Sequence, residues 1–229
     1  MDRLVAFLQE VPFFSNLAYV ELEKVASLLI TRKYERGINV FLEGGDGDEF
    51  YVIYSGNVKI YKESVSREII LAIFGEGDFF GEMAVLENET TRSASAMTLE
   101  ETTLYVLKRQ DFLWLMNQTP QIPIKIMNTA MQRLRTANEL IKDLTFRDAK
   151  TRIAKGLYRL VEKHGVQKQD NILIDLKLTH QQIADLTGTV RETVTKVMQE
   201  LQTMGILKIE KKRITITDHQ QYLLLFDEE

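Results

Sequence analysis

The sequence predicts an α+β chain in which a small antiparallel barrel or roll is followed by a long helix and a second, smaller domain. Three observations carry that reading. Glycines at 37, 44, 45, 47, 56, 75, 77 and 81 punctuate short β-rich runs between residue 31 and about residue 108, the pattern of a closed antiparallel sheet. Met127, Ala130, Leu134, Ala137, Ile141 and Leu144 then recur at a 3-4-3-4-3 spacing, which is a heptad seam. From residue 146 onward the pattern changes to a helix, a loop, two further helices and a β-hairpin.

Each element has its local cause. In SNLAYVELEKVASLLI, Leu17, Val20, Val25, Leu28 and Leu29 fall at mostly helical spacings, with Ser15 or Asn16 placed to cap the helix. In FYVIYSGNVKIYKES, Val58 and Ile60 alternate with Asn57 and Lys59, and Ser55-Gly56 makes the turn. EIILAIF and ETTLYVLK read as further strands. Pro120 and Pro123 fall near the start of the heptad helix, where proline is tolerated. Ala130 and Ala137 permit close approach of another helix, so the seam predicts a parallel homodimer.

Composition narrows the function. The 229 residues are 45% hydrophobic and 27% charged, enough to fill one large core or two modest ones. The absence of cysteine excludes disulfides, thiolate zinc sites and cysteine-held iron–sulfur clusters. The N-terminal MDRLVAFLQEVPFF is interrupted by acids and a proline and does not read as a signal peptide. No apolar run approaches the ~18 residues of a membrane span, so the expectation is a soluble cytoplasmic protein without a membrane partner. The net charge of −4 is unevenly spread: residues 150–217 carry thirteen Lys/Arg against seven Asp/Glu, whereas residues 1–149 carry sixteen against twenty-two. A basic block inside an acidic chain is the footprint of a nucleic-acid binder. No histidine–acid–nucleophile set, metal-ligand cluster or Walker loop is present, so no enzyme is expected.

The segment THQQIADLTGTVRETVTKVMQEL carries the sharper signal. Thr179 and Gln182 form a T-x-x-Q capping box that opens a helix, and Gly188 closes it. Thr189 and Glu192 form a second box and open the next helix. Ile183 and Leu186 of the first helix are expected to pack on Val194 and Val197 of the second. This is a helix-turn-helix whose second helix presents Val190, Arg191, Glu192 and Thr193, with Thr195 and Lys196 just after. Arginine can give two parallel hydrogen bonds to guanine, and glutamate can accept from cytosine. Lys211, Lys212 and Arg213 cluster at the hairpin tip and suit the DNA backbone. Double-stranded DNA is the expected partner.

GEMAVLENETTRSASA raises a different possibility. Gly77-Asp78-Phe79-Phe80-Gly81-Glu82 ends a strand and opens one helical turn. Backbone N–H groups there can cradle an anion, Arg92 can supply charge to a phosphate, and Ser93 a hydroxyl. Glu82 can accept from a ribose hydroxyl. The same residues also read as a plain Glu82–Arg92 surface ion pair. Residues alone leave both open.

FGEGDFFGEMAVLENETTRSASA resembles the phosphate-binding cassette of cyclic-nucleotide-binding domains, with G-D-x-x-G-E opening it and R-S-A closing it. EGGDGDEFYVIYSGNVKIYK resembles the roll signature of the same domain. DAKTRIAKGLYRL and the helix-turn-helix segment resemble the DNA-binding half of the CRP/FNR family of bacterial regulators. The resemblance implies a β-roll effector domain (1–120), a long dimerisation helix (121–146) and a winged helix-turn-helix (147–229). It implies a dimer that binds a palindromic DNA site, and RNA polymerase as a further partner, for which the loop at 162–170 is a candidate surface. It implies cyclic AMP as effector, held by Gly81, Glu82, Met83, Arg92 and Ser93, or a different small anionic ligand, or none. Where cyclic-AMP receptors of the family carry a Thr-Ser pair at the adenine, ungapped alignment puts Ala137 and Asn138. The implied DNA contacts are Thr179, Val190, Arg191, Glu192, Thr193, Lys196, Lys211 and Lys212, with Lys196 in place of the receptors' arginine. No metal, haem or iron–sulfur cluster is expected, since cysteine is absent and His164, His180 and His219 all lie in the DNA-binding half. A 2-oxoglutarate site would find Glu82 repulsive.

Overall fold

β3 (Glu49–Ser55) and β8 (Thr102–Lys108) organise the N-terminal half because they are apolar on both faces and both faces are covered. Successive side chains in a strand point to opposite sides. Phe50 and Val52 of β3, with Tyr105 and Leu107 of β8, join a cluster with α1 (Asp2–Glu10), α2 (Tyr19–Leu28) and α4 (Arg109–Gln118). Tyr51, Ile53, Leu104 and Val106 join a second cluster with Val58, Phe74 and Ala96 from the opposing sheet. A strand buried on both faces shows a continuous apolar run rather than an alternating one, which is why Phe50-Tyr51-Val52-Ile53 runs without a charged residue.

The computed structural model describes residues 2–87 and 91–226. One four-stranded sheet runs β1-β8-β3-β6, with β1 Ile30–Tyr34 and β6 Phe79–Phe80. The other runs β2-β7-β4-β5, with β2 Asn39–Phe41, β7 Ser95–Thr98, β4 Val58–Ser64 and β5 Arg67–Phe74. Their pairings are antiparallel, as β1–β8, β3–β8 and β4–β7 illustrate, so the two sheets make the roll. The short helix α3 (Glu82–Leu86) follows β6 directly. The central residues 88–90 of the cassette lie outside the described residues.

The heptad helix is α5, Gln121–Phe146, 26 residues or about 39 Å long. Ile122 and Ile126 near its start are buried in the first core cluster. The six seam residues from Met127 to Leu144 include four large apolar side chains that are exposed in the single chain, Met127, Leu134, Ile141 and Leu144.

The remaining chain forms α6 (Ala149–His164), β9 (Gly165–Lys168), β10 (Asn171–Ile174), α7 (His180–Thr187), α8 (Arg191–Thr203), β11 (Leu207–Glu210), β12 (Arg213–Ile216) and α9 (His219–Leu224). The strands form one sheet in the order β11-β12-β10-β9. Asp148 caps α6 by accepting from Thr151 N–H at 2.8 Å. Buried Asp143 on α5 accepts from Lys155 Nζ (3.0 Å) and Arg159 Nη1 (3.1 Å) of α6. The chain divides into two compact units: the first comprises residues up to Ser64 with Ile70–Arg135, the second Thr136 onward with Val65–Ile69. Among the described residues, no helix is long and apolar enough to cross a membrane.

Several sequence expectations are corrected. α2 is preceded by Ala18, not Ser15 or Asn16; the Glu21 carboxylate accepts from Ala18 N–H at 2.7 Å, while Ser15 Oγ donates to Pro12 O. The β3–β4 turn is Gly56-Asn57, since Ser55 still belongs to β3. Gly56 has φ +91°, and a Cβ there would lie 2.6 Å from Glu101 O, which glycine alone tolerates. The alternation in β4 fails at Lys59, which is buried with its ammonium 4.3 Å from the Tyr61 ring centroid. Residues 165–174 are not a loop but the β9–β10 hairpin. Thr189 does not cap α8: Val190 holds that position without a side-chain bond. Leu186 is half-buried, and Thr187 occupies the buried place beside the helix pair.

Candidate functional site

Gly81 sets the geometry of the first site. It stands between β6 and α3 with φ +83°, a left-handed conformation that glycine adopts without strain. A Cβ there would lie 2.9 Å from Arg92 Nη1 and 3.1 Å from Glu49 O, so the position is also sterically reserved. Arg92 is brought opposite by backbone pairing with the Gly44-Gly45 turn: Gly44 N–H donates to Arg92 O (2.8 Å) and Arg92 N–H to Gly45 O (2.9 Å). The two glycine motifs of the sequence thus meet at one arginine.

The Arg92 side chain is 4% exposed. Nη1 donates to Gly81 O (3.1 Å) and Nη2 to Glu49 O (2.9 Å), and the guanidinium lies 4.1 Å from the Phe41 ring centroid. Nε is buried with no hydrogen-bond partner among the described residues. Among the same residues no carboxylate stands within ion-pair distance of this cation. Burial pushes it below the usual arginine range, against the fields of Tyr51, Asp48, Glu49 and Glu82. A desolvated cation with an unspent donor and only neutral acceptors is a place where an anion is electrostatically favoured.

Glu82 does not pair with Arg92, which settles the ion-pair reading. It pairs with Arg133 of α5 at 2.9 Å. Arg133 Nη2 also donates to Phe79 O at 2.5 Å, and its guanidinium lies 4.4 Å from the Phe74 ring and 4.8 Å from the Phe79 ring. Sequence reasoning missed Arg133, which lies 51 positions from Glu82 on a helix whose pattern reports only its apolar seam. Ser93 Oγ and Met83 Sδ are 3.5 Å apart, and both residues are exposed at the rim. Arg109 holds the end of α3 by donating to Val85 O (2.9 Å) and Glu87 O (3.0 Å).

The floor beneath Arg92 is tied by an ionic network. The Glu49 carboxylate accepts from Arg32 (2.6 and 2.7 Å), Lys108 (2.5 Å) and Tyr51 OH (2.8 Å). Burial alone would push this carboxyl up, but those three donors hold it down at about 2. Tyr51, pushed well up by burial and by Glu49, stacks on Phe80 with centroids 5.0 Å apart. The Glu49 carbonyl that receives Arg92 is therefore fixed from its own side chain outward.

The second site is built on the helix pair. Thr179 Oγ1 accepts from Gln182 N–H (3.1 Å) and Gln182 Oε1 accepts from Thr179 N–H (2.9 Å), the reciprocal capping box that the sequence predicts. Gly188 closes α7 with φ +63°. Val194, Val197, Met198 and Leu201 bury one face of α8. On the opposite face Arg191, Glu192, Thr195, Lys196 and Gln199 share one open surface. Val190, Arg191, Glu192 and Gln199 are exposed, whereas Thr193 and Thr195 are half-buried. Lys211 and Lys212 form the exposed β11–β12 turn, both with positive φ (49° and 67°). Ala137 and Asn138 are exposed on α5.

Residues 31–119 match the cyclic nucleotide-binding domain family, and residues 151–221 the Crp-like helix-turn-helix domain family. The CRP-like cAMP-activated global transcriptional regulator of Mycobacterium tuberculosis is 33% identical over 189 residues, 82% of this chain and 84% of that protein. The chain belongs to the CRP/FNR family of transcription regulators. The cyclic AMP receptor protein of Thermus thermophilus is likewise 33% identical, over 86% of this chain and 88% of its own length. Among solved structures, the c-di-GMP responsive global regulator CLP of Xanthomonas campestris superposes with a TM-score of 0.75 at 26% identity, covering 88% of this chain and 100% of that one. Within the family frame, the roll carries the Arg92 cradle and the C-terminal unit carries the DNA-binding helix pair.

Proposed function

We propose that this CRP/FNR regulator is a homodimer that binds a palindromic DNA site and responds to cyclic AMP. The observation that carries the effector reading is Arg92, a buried cation with an unpartnered Nε–H and, among the described residues, no carboxylate partner. Arg92 and the N–H groups after Gly81 would hold the cyclic phosphate, with Ser93 and Met83 at the rim. Glu82 would accept from the ribose hydroxyl, exchanging part of its bond to Arg133. Ala137 and Asn138 would face the base, and Asn138 can hydrogen-bond its edge. Arg191, Glu192 and Lys196 would read base edges, supported by Val190 and Thr193. Thr179, Lys211 and Lys212 would position the DNA backbone. The exposed α5 seam would pair two copies, setting the recognition helices about 34 Å apart. Residues 1–120, 121–146 and 147–229 would divide effector binding, dimerisation and DNA binding. RNA polymerase would be the partner through which bound DNA is regulated.

Isothermal titration with cyclic AMP, and cyclic GMP as control, tests the effector. Wild-type protein should bind cyclic AMP, and Arg92→Ala should weaken binding about 10- to 150-fold, the cost of losing a hydrogen bond to a charged group. A thermal melt of the variant separates lost binding from lost folding. No heat with either nucleotide overturns the cyclic-nucleotide reading. A second ligand, cyclic di-GMP, belongs in the same titration. Ala137 and Asn138 replace the hydroxyl pair of the receptors, and the Xanthomonas relative is described as responsive to it.

A further inference from the structure

Only two residues, Arg147 and Asp148, join α5 to α6, and so short an elbow is a natural place for the chain to bend. Three separate ties hold it closed. The first is ionic. Asp143, in the last turn of α5, is 1% exposed, and its two carboxylate oxygens are divided between two cations of α6. Oδ1 accepts from Lys155 Nζ at 3.0 Å and Oδ2 from Arg159 Nη1 at 3.1 Å. Lys155 and Arg159 stand four positions apart and so share one face of α6, the face turned to Asp143.

The second tie is made by Arg152. Nη1 donates to Arg147 O in the elbow (2.9 Å), Nε to Thr187 O at the end of α7 (3.1 Å), and Nη2 to Gly188 O in the turn that precedes α8 (3.2 Å). The third is steric. A Cβ at Gly188 would lie 2.5 Å from Leu144 Cδ2, so this α5 side chain rests on the bare backbone of the turn. Leu144 is also the last residue of the heptad seam and is 46% exposed. All of these residues belong to the compact unit that begins its main run at Thr136.

A buried ion pair adds little net stability, because desolvating both charges offsets their attraction. What it can supply is a single geometry: both donors must reach one carboxylate, and parting the helices strands a desolvated charge. A bending elbow would call for interchangeable apolar contacts, and this one carries directional bonds instead.

We propose that Asp143 welds α5 to α6, so that the last part of α5, about three turns from Thr136 to Phe146, belongs mechanically to the DNA-binding unit. The effector signal then reaches α8 by displacement of α5 itself, handed from Leu144 to Gly188, and not by opening of the elbow. This relay rests on the effector reading above, whereas the weld does not. Leu144 is at once a seam residue and the support of the turn that starts α8, so the packing of two α5 helices sets the recognition helix directly.

The chain has no cysteine, so Glu139→Cys on α5 and Glu162→Cys on α6, both exposed positions, accept a spin-label pair that spans the elbow. Labelled chain is diluted in an excess of unlabelled chain, so that pulsed electron resonance reads distances within one copy. The otherwise wild-type protein should give one narrow distance, unchanged by saturating cyclic AMP and by an operator selected from a random DNA pool. Asp143→Asn removes the charge at nearly constant shape and should broaden the distribution. Asp143→Leu combined with Lys155→Met and Arg159→Met replaces the clasp by apolar contacts, which preserve folding, and should broaden it equally. A narrow distance in either folded variant, or a wild-type distance that shifts with either ligand, overturns the weld. The relay is read as DNA affinity with and without saturating cyclic AMP. A wild-type ratio of about 5- to 150-fold should fall toward one in Asp143→Asn, with nucleotide affinity retained. A ratio preserved in a variant whose distance has broadened overturns the relay. A wild-type ratio of one overturns the effector reading and the relay with it, while the distances still decide the weld.

Discussion

At the scale of single residues, strain marks where chemistry overrides local preference. The β11–β12 turn has two central residues with positive φ, the geometry of a type I′ turn that favours Asn-Gly. Here it holds Lys211 and Lys212. Each lysine costs on the order of 1 kcal/mol against glycine in that conformation, and what it supplies is charge beside the recognition helix. The double substitution Lys211→Asn with Lys212→Gly should therefore raise the melting temperature and weaken DNA binding together. The slope of log affinity against log salt should flatten by about 0.9 for each phosphate that is no longer neutralised. A fall in both stability and affinity would identify the lysines as structural. Gly81 shows the opposite case, in which the residue type agrees with its conformation, and this is why its turn is legible from sequence. The partners of Glu82 and Arg92 are not legible. Two carbonyls and Arg133 take up these charges, and carbonyls carry no sequence signature while Arg133 is 51 positions away.

At the scale of elements, sequence is most legible where one residue type forces one geometry. The Thr179–Gln182 box and Gly188 fix both ends of α7, and both lie where expected. Thr189 fails as a cap because the chain between α7 and α8 is too short: Thr189 N–H is already committed to Ala184 O, and Val190 takes the cap position. The β9–β10 hairpin escapes sequence reasoning because its outer strand is exposed at every position, so no alternation betrays it. Lys59 breaks a strand pattern because an aromatic face can cover an ammonium that hydropathy counts as polar. α5 (Gln121–Phe146) is legible from Met127 to Leu144, where the heptad period defines it, whereas its first turn lies ahead of the seam and is not fixed by the period. Four of its six seam residues are large apolar side chains between 46% and 61% exposed in one chain. Such a stripe is a liability for a monomer and an asset for a pair. Leu134→Lys, at the middle of the seam, should convert a sedimenting dimer to monomer at micromolar concentration while leaving the circular dichroism of the fold intact. A monomeric wild type would show that the seam does not pair.

At the scale of the whole molecule, the charge imbalance read from composition finds its place in the structure. The basic block coincides with the unit that carries α7, α8 and the lysine turn. The acidic remainder surrounds a cradle whose key cation is hidden from solvent. Long-range attraction to DNA is thus confined to one unit, and on the proposed reading nucleotide recognition in the other would depend on desolvation rather than on net charge. If both sites work in one dimer, linkage fixes how they must respond. A ligand that tightens DNA binding by a given factor is itself bound more tightly, by the same factor, when DNA is present. A useful switch needs a coupling of about 1–3 kcal/mol, or about 5- to 150-fold in affinity. Titrating operator DNA with and without saturating cyclic AMP, and cyclic AMP with and without operator DNA, should give two ratios of equal size. Equal ratios near one would mean that the sites are present but uncoupled, and the chain would then bind DNA constitutively. Unequal ratios would violate the cycle and reveal a third linked equilibrium, of which dimerisation through the α5 seam is the first to test. Leu134→Lys separates these cases: if coupling travels through the paired seam, the monomeric variant should still bind nucleotide but show a ratio near one.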